Sequence, residues 1–532
     1  MKLNRPGWVF ALVFAWKIAL FLGAGQPVPA NDAFFYDGAV VNRLLNGHYC
    51  NPALAAALPI SGTDVFCAYP PLHQAALLGW MAVFGVSAWT AMTFHLALIG
   101  VYLLLLRAIF RRVAAPDWAA VIAGWYVILL TFHDRPDTLA HVLGLAGVYA
   151  GLRWFLRPAG QPGTGVWIWG VVAAVTLAFT TSLQIGAIYY LLLALFVVGP
   201  ALARRVRLPW AAMIVMTLAP VALVALVKFG YPHLWTGFLE HARQTPSFTG
   251  FRIPYPGEWL KVGRNAPAVL LVAILLPLWW RGRHRPAPAT TSPGVDMLSR
   301  QREAAAWLAL ATLLAGLAVV GACLLVLTAN TVAIANYLQP LLVGCFLTGA
   351  AAAATVTTAA SGATATWRTG RSFALLAGLA LGSVRAVGMS TWGVACAWDV
   401  GYTAAIHRVD TELTAQPEGT VVVLSSAYLY EAARHRNVRW LHSDWLVPAR
   451  HDDVDPDLTG LRQFHPRRLL LTQFDYYRRY APELAKLRTD PTLADLKITN
   501  LAKIPPPDAY PSLQRVVQHI SWAPVVVELT WR

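Results

Sequence analysis

The sequence predicts a polytopic α-helical membrane protein of about eleven transmembrane helices, closed by a small extracytoplasmic α/β C-terminal domain. Three observations carry this. Of the 532 residues, 57% are hydrophobic and only 13% charged, against about 25% charged in ordinary soluble domains. Many windows of roughly 17–25 apolar residues lack acids and bases, the length a bilayer core requires. Lys and Arg gather in short loops between those windows. The formal charge of +16 is therefore an orientation signal and not a nucleic-acid footprint, and the partner it implies is the lipid bilayer.

The spans read as roughly 8–24, 89–107, 117–133, 138–154, 164–181, 183–200, 209–228, 265–280, 304–328, 334–356 and 372–392. With Lys2 and Arg5 in the cytoplasm, the inner loops hold Arg107, Arg111 and Arg112, then Arg153 and Arg157, then Arg204, Arg205 and Arg207. Arg281 to Arg302 and Arg368 with Arg371 continue the series, while the outer loop 25–88 has only Arg43. This asymmetry predicts a multi-pass protein of the plasma (bacterial inner) membrane with a cytoplasmic N-terminus. The first run also reads as a signal peptide, but the many later spans favour an uncleaved helix.

"PPLHQAALLGWMAVFG" (70–85) is apolar yet short for a span, and counting it would turn every later basic loop outward. It reads as a helix lying at the outer interface, its start fixed by Pro70 and Pro71. The stretch 286–303, rich in Pro, Ala and Thr, reads as a flexible cytoplasmic connector. The transmembrane domain is thus 1–395.

The remaining 396–532 is different in kind, with dense charge and short β-like runs at 420–426, 438–443, 467–474, 496–504 and 524–532. Helical stretches near 427–435 and 476–489 lie between them. No glycine-rich phosphate loop precedes its helices, so nucleotide binding is not expected, and the domain reads as a cap on the outer face.

Five cysteines form no metal pattern. Cys50 and Cys67 share the first outer loop, where a disulfide is chemically allowed; two unrelated thiols are the other reading.

Acids meet the outer face at two places. Asp32 and Asp37 follow span one, and "HDRPDTLAH" (133–141) lies between spans three and four. Asp134 reads best as a helix cap, and Asp137 divides evenly between cap and function. Asp32 is followed by Phe34, Phe35 and Tyr36, which lower the local dielectric, raise a carboxylate pKa and suit it to general-base work. Asp37 lies about 140° away from Asp32 on a helix and reads as a supporting or solvent-facing residue. Other outer groups are "NYLQP" (336–340) with Tyr337, and loop 229–264 with His233, Glu240, His241, Arg243, Arg252 and Tyr255. Lys17 and Arg385, inside spans, are candidates for an anionic ligand or for pairing and snorkelling.

Three short motifs occur in order: Asp32 with Tyr36, Leu44, Leu45, Gly47 and Tyr49; "YPPLHQ" from Tyr69; and "RPD" at Arg135, Pro136 and Asp137. In this the chain resembles the GT-C superfamily of integral-membrane glycosyltransferases, most of all the branch of protein O-mannosyltransferases and lipid A aminoarabinose transferases. The resemblance covers about residues 1–350. It implies an inverting glycosyltransferase of the cell envelope, moving a hexose or pentose from a polyprenyl-phosphate donor to a glycan, lipid or protein acceptor on the periplasmic side.

Asp32 then falls on the catalytic base, and Asp137 on a second acid that orients the acceptor or, in some members, a divalent metal. Tyr36, Tyr69 and Tyr337 become substrate-binding candidates. Two departures stand out. Ala33 follows Asp32 where two adjacent acids are common, and Tyr69 stands where the aminoarabinose enzymes place a lysine. Phosphate recognition would then pass to Arg43, Arg135 or Arg243. The competing readings are a carrier, which needs mid-membrane charges and inverted repeats, and a non-catalytic scaffold with an external binding domain.

Overall fold

The computed structural model describes residues 33–113, 135–157, 164–203, 209–244, 293–325, 402–443, 463–472, 496–500 and 524–531, with scattered positions in 11–18 and 475–485. The first loop, expected on the outer side, has short helices in its described part: α1 (Ala33–Tyr36), α2 (Gly38–Asn46), α3 (Pro59–Thr63) and α4 (Leu72–Phe84). Helix α4 begins after Pro71 and has 13 residues, about 20 Å of helix, too short for a hydrocarbon core of about 30 Å. Its last residues Val83 and Phe84 are 75% and 61% exposed, the apolar surface an interfacial helix presents to lipid.

The long helices follow: α5 (Ala88–Arg112), α6 (Asp137–Phe155), α7 (Thr164–Thr181), α8 (Leu183–Ala203) and α9 (Trp210–Gly230). Among the described residues, Ala88–Arg112, Leu183–Leu202 and Trp210–Gly230 are long and apolar enough to cross a membrane. Ser87 starts α5 by accepting from the Thr90 amide at 3.1 Å. Helix α10 (Pro232–Gln244) follows α9, and α11 (Pro293–Leu325) rejoins the bundle. The expected spans at 117–133, 265–280, 334–356 and 372–392 lie outside the described residues, as does most of 8–24.

One expectation is corrected. Residues 293–303, read as part of a flexible connector, are the first turns of α11. Pro293 suits a helix start, and Met297, Leu298, Arg300, Gln301, Arg302 and Glu303 are good helix formers, so the Pro-rich composition upstream does not extend into them.

The bundle core is built from α5 to α9 and α11. A glycine row on α6 admits α8. A Cβ on Gly144 would sit 2.2 Å from the Tyr189 ring, one on Gly147 2.8 Å from Leu193, and one on Gly151 3.3 Å from Phe196. Small residues at this spacing let helix backbones approach, which is how apolar helices gain contact in lipid.

The C-terminal part comprises α12 (Tyr402–Thr414), β1 (Thr420–Leu424), α13 (Leu429–Arg434), β2 (Val438–His442), β3 (Arg468–Thr472), β4 (Leu496–Asn500) and β5 (Pro524–Trp531). The sheet order is β2-β1-β3-β5-β4. Strand β1 runs parallel to β2 and β3, and β5 antiparallel to β3 and β4. Val422, Leu424, Tyr428, Trp440 and Val526 share one apolar cluster with Phe34, Val40, Leu77, Met81 and Phe94. The α/β part therefore packs directly on the first outer loop and the start of α5.

Candidate active site

The site grows from the kink between α1 and α2. Asn51 donates through Nδ2 to the carbonyls of Phe34 and Phe35, satisfying helix-end acceptors that have no intrahelical partner. A Cβ on Gly38 would lie 2.5 Å from the Asn51 amide, so glycine is what allows Asn51 to insert. This fixes Tyr36 with its ring against Tyr69, centroids 5.0 Å apart and nearly perpendicular. Phe35 meets Tyr69 at 5.6 Å and His241 at 5.1 Å, and Tyr69 meets His241 at 5.9 Å.

Helix α10 brings His241 there by a close seat. A Cβ on Gly237 would lie 1.9 Å from the Cys67 sulfur, and His233 Nε2 pairs with Asp64 at 2.5 Å. Burial pushes the His241 pKa down to about 4, so its ring is neutral at pH 7.

The acid arrives from α6. Asp137 opens this helix, where a carboxylate is favoured by the helix dipole. Its Oδ2 accepts from Arg135 Nε at 2.8 Å, and the Arg135 guanidinium lies 5.8 Å from the Tyr36 ring centroid. Asp137, Arg135, Tyr36, Tyr69 and His241 thus form one continuous cluster. Behind Tyr36 sits His73, ring centroids 6.4 Å apart, with His95 a further 6.0 Å on. Four residues after Asp137, His141 Nδ1 meets the Tyr189 hydroxyl at 3.2 Å.

The structure thus gathers five of the residues singled out in the sequence: Tyr36, Tyr69, Arg135, Asp137 and His241. Asp32 and Tyr337 lie outside the described residues, as does the Arg243 side chain. Arg43 is exposed and donates to the Gly47 carbonyl beyond the C-terminus of α2, away from the cluster. Of the two readings of Asp37, supporting or solvent-facing, the structure overturns the solvent-facing one. Asp37 is 0% exposed and accepts from the Tyr430 hydroxyl at 2.9 Å, across the contact with the C-terminal domain. Its helix packs that face on α13, and the sequence did not reveal which face would be covered. Cys50 and Cys67 are both buried free thiols. The Cys50 sulfur accepts from Asn42 at 3.3 Å, and the Cys67 sulfur lies 3.6 Å from the Ser61 hydroxyl.

His73, His95 and His141 were missed in the sequence. Two signals were available: His73 lies inside "YPPLHQ", and His141 stands one helical turn after Asp137. The described residues do not fit a divalent metal at Asp137. The Arg135 cation already holds its carboxylate, and a second cation there would be repelled.

Long apolar helices, a segment of short helices and an α/β sheet packed upon it define the fold, which solved structures share. The particular likeness is to ArnT from Cupriavidus metallidurans, solved with undecaprenyl phosphate bound. The match has a TM-score of 0.53 over 98% of both chains, at 17% identity. The apo state of the same protein matches with a TM-score of 0.53 at 17% identity, over 98% of this chain and 97% of that one. The arabinofuranosyltransferase AftD from Mycobacteria matches with a TM-score of 0.50 at 16% identity, over 100% of this chain and 40% of that one. No protein-family profile matches the sequence, and no curated protein matches it at a significant level.

Proposed function

We propose that the protein is an inverting glycosyltransferase that moves a sugar from a polyprenyl-phosphate donor to an acceptor hydroxyl on the outer, periplasmic face of the membrane. The observation that carries this is the cluster of Asp137, Arg135, Tyr36 and Tyr69, built around the helix that begins one residue after Asp32. The ArnT fold, with its bound undecaprenyl phosphate, supports the donor class.

In this reading Asp32 takes the proton of the acceptor hydroxyl as its oxygen attacks the anomeric carbon. The bond from that carbon to the phosphate oxygen breaks, polyprenyl phosphate leaves, and the configuration inverts. Arg135, held by Asp137 and lying beside Tyr36, carries the positive charge available to the leaving phosphate. Asp137 keeps the guanidinium in place and orients the acceptor. Tyr36 and Tyr69 supply aromatic walls for the sugar and the lipid-linked phosphate.

The test is transfer from a labelled polyprenyl-phosphate hexose or pentose, with and without a chelator. Replacing a general base costs about 10²–10⁴ in rate. Asp32→Asn is therefore expected to accumulate normally in the membrane and to lose transfer by at least ~100-fold. Full activity in that variant rules out Asp32 as the base.

A further inference from the structure

A second site lies at the C-terminal half of α2, where the first loop meets the C-terminal sheet. A cleft of about 540 Å³ opens there, lined by Asn42, Asn46, His48, Arg436, Arg439 and Trp440 among others. This lies within the usual range for small-molecule pockets, about 300–1,000 Å³, and is far roomier than an inorganic anion requires.

Its chemistry is one-sided. Among the described residues, no lining residue is acidic. The nearby Asp410 is engaged by His435 Nε2 at 2.8 Å. Arg436 is anchored, donating to the Leu45 carbonyl at 2.8 Å, so one cation is fixed in the wall. Arg439 projects from β2 and is exposed, with its guanidinium 5.1 Å from the Phe464 ring centroid. A stacked guanidinium keeps its edge N–H groups directed outward for an oxyanion.

The remaining groups are neutral hydrogen-bonding partners. Asn46 Nδ2 donates to Asn42 Oδ1 at 2.9 Å, which aims the Asn46 carbonyl elsewhere, and the His48 ring is exposed at the rim. Trp440 forms an apolar floor. Its ring lies 5.4 Å from Phe34, which is on α1, the helix that also carries Tyr36.

We propose that this cleft binds a saccharide bearing an oxyanion, a phosphate or carboxylate held by Arg436 and Arg439 with hydroxyls meeting Asn46 and His48. That the cleft holds the distant part of an acceptor rests on the transferase reading; binding itself does not. The experiment measures equilibrium binding to the full-length chain in detergent, with no donor present, using glucose 1-phosphate, glucuronate, glucose and inorganic phosphate. Glucose 1-phosphate and glucuronate are expected to bind saturably and to weaken as salt rises. Glucose and phosphate alone are expected to bind at least ~10-fold more weakly, a difference of about 1.4 kcal/mol.

Arg439→Gln and His48→Ala, both at exposed positions, are expected to weaken glucose 1-phosphate by ~10-fold and ~3-fold while leaving thermal unfolding unchanged. Equal affinity for phosphate and glucose 1-phosphate, no saturable binding, or binding indifferent to Arg439→Gln would each overturn the proposal. Intact binding in an Asp32→Asn chain that has lost transfer separates this site from the reaction. Binding by a chain with no transfer activity under any condition would leave this site standing and sink the transferase reading alone.

Discussion

At the scale of the residue, His73 and Gln74 carry the sharpest tension. Both are 0% exposed, and none of their four side-chain polar atoms has a hydrogen-bond partner. An orphaned buried polar group costs about 1–3 kcal/mol, and such a cost next to Tyr36 marks ground kept for function rather than stability. Burial pushes the His73 pKa down to about 3. The unfolded chain titrates near 6.5, so below that pH it takes up a proton that the folded chain refuses. Stability from this group is complete above pH 6.5 and is lost as pH falls towards 3, by about 1.4 kcal/mol per pH unit. His73→Leu should therefore flatten the fall in thermal stability between pH 6.5 and 4.5. At pH 7 it should unfold no earlier than the natural chain. Identical pH slopes in the two proteins would show that His73 is not buried as a neutral ring.

The Arg135–Asp137 pair gives a second expectation at this scale. The two side chains are 20% and 14% exposed, so neither charge is fully screened, and each loses a close opposite charge when the other is removed. Arg135→Ala should lower transfer by ~10²-fold, the cost typical of losing one electrostatic stabiliser. Arg135→Lys should restore only part of it, because an ammonium lacks the planar fork. Full rescue by lysine would reduce Arg135 to a point charge.

At the scale of the element, α10 depends on a glycine. Gly237 lies against the Cys67 sulfur so closely that any side chain must displace the helix or the loop. Since His241 is one turn further on, Gly237→Ala should disturb the His241 seat against Phe35 and Tyr69. The expected result is a lower Tm and a raised substrate KM, with the Cys67 thiol, buried and with its pKa raised by that burial, now open to maleimide. An unchanged Cys67 labelling rate would mean that α10 does not rest on this sulfur.

Elements of this kind were unequally legible in the sequence. The five strands could be read because runs such as Val421–Val423 and Val525–Val527 are β-branched and bounded by turn residues. Helix α4 could be read as a short helix because its apolar run is bounded by Pro71 and Gly85. The seat of α10 could not, because a contact between Gly237 and Cys67, 170 residues apart, leaves no local period. The start of α11 was obscured by composition, since proline and threonine dominate up to Pro293, Gly294, Val295 and Asp296 are weak helix formers, and good formers begin only at Met297.

At the scale of the whole molecule, the α/β domain and the first outer loop are one packed unit. Phe34 lies between Trp440, at 5.4 Å, and His442, at 4.6 Å. Arg436 donates to the Leu45 carbonyl, and Tyr430 donates to Asp37 across 393 positions of sequence. Helical spacing from Asp32 left Asp37 as a supporting or solvent-facing residue, and its partner was invisible because nothing local to either residue encodes the other.

The domain thus holds from above the helix pair that follows Asp32. A double-mutant cycle measures this hold. Tyr430→Phe removes a hydroxyl donor from Asp37 Oδ2 and leaves a buried carboxylate less satisfied, a loss of about 1–3 kcal/mol. Asp37→Asn keeps an acceptor and should cost less. If the hydroxyl acts through Asp37, the double variant falls short of the sum by about 0.5–3 kcal/mol, the coupling usual for residues in contact. Both single variants should also lower transfer, because loosening α2 frees the kink that orients Tyr36. Strict additivity together with unchanged transfer would mean that the domain covers the outer loop without positioning it.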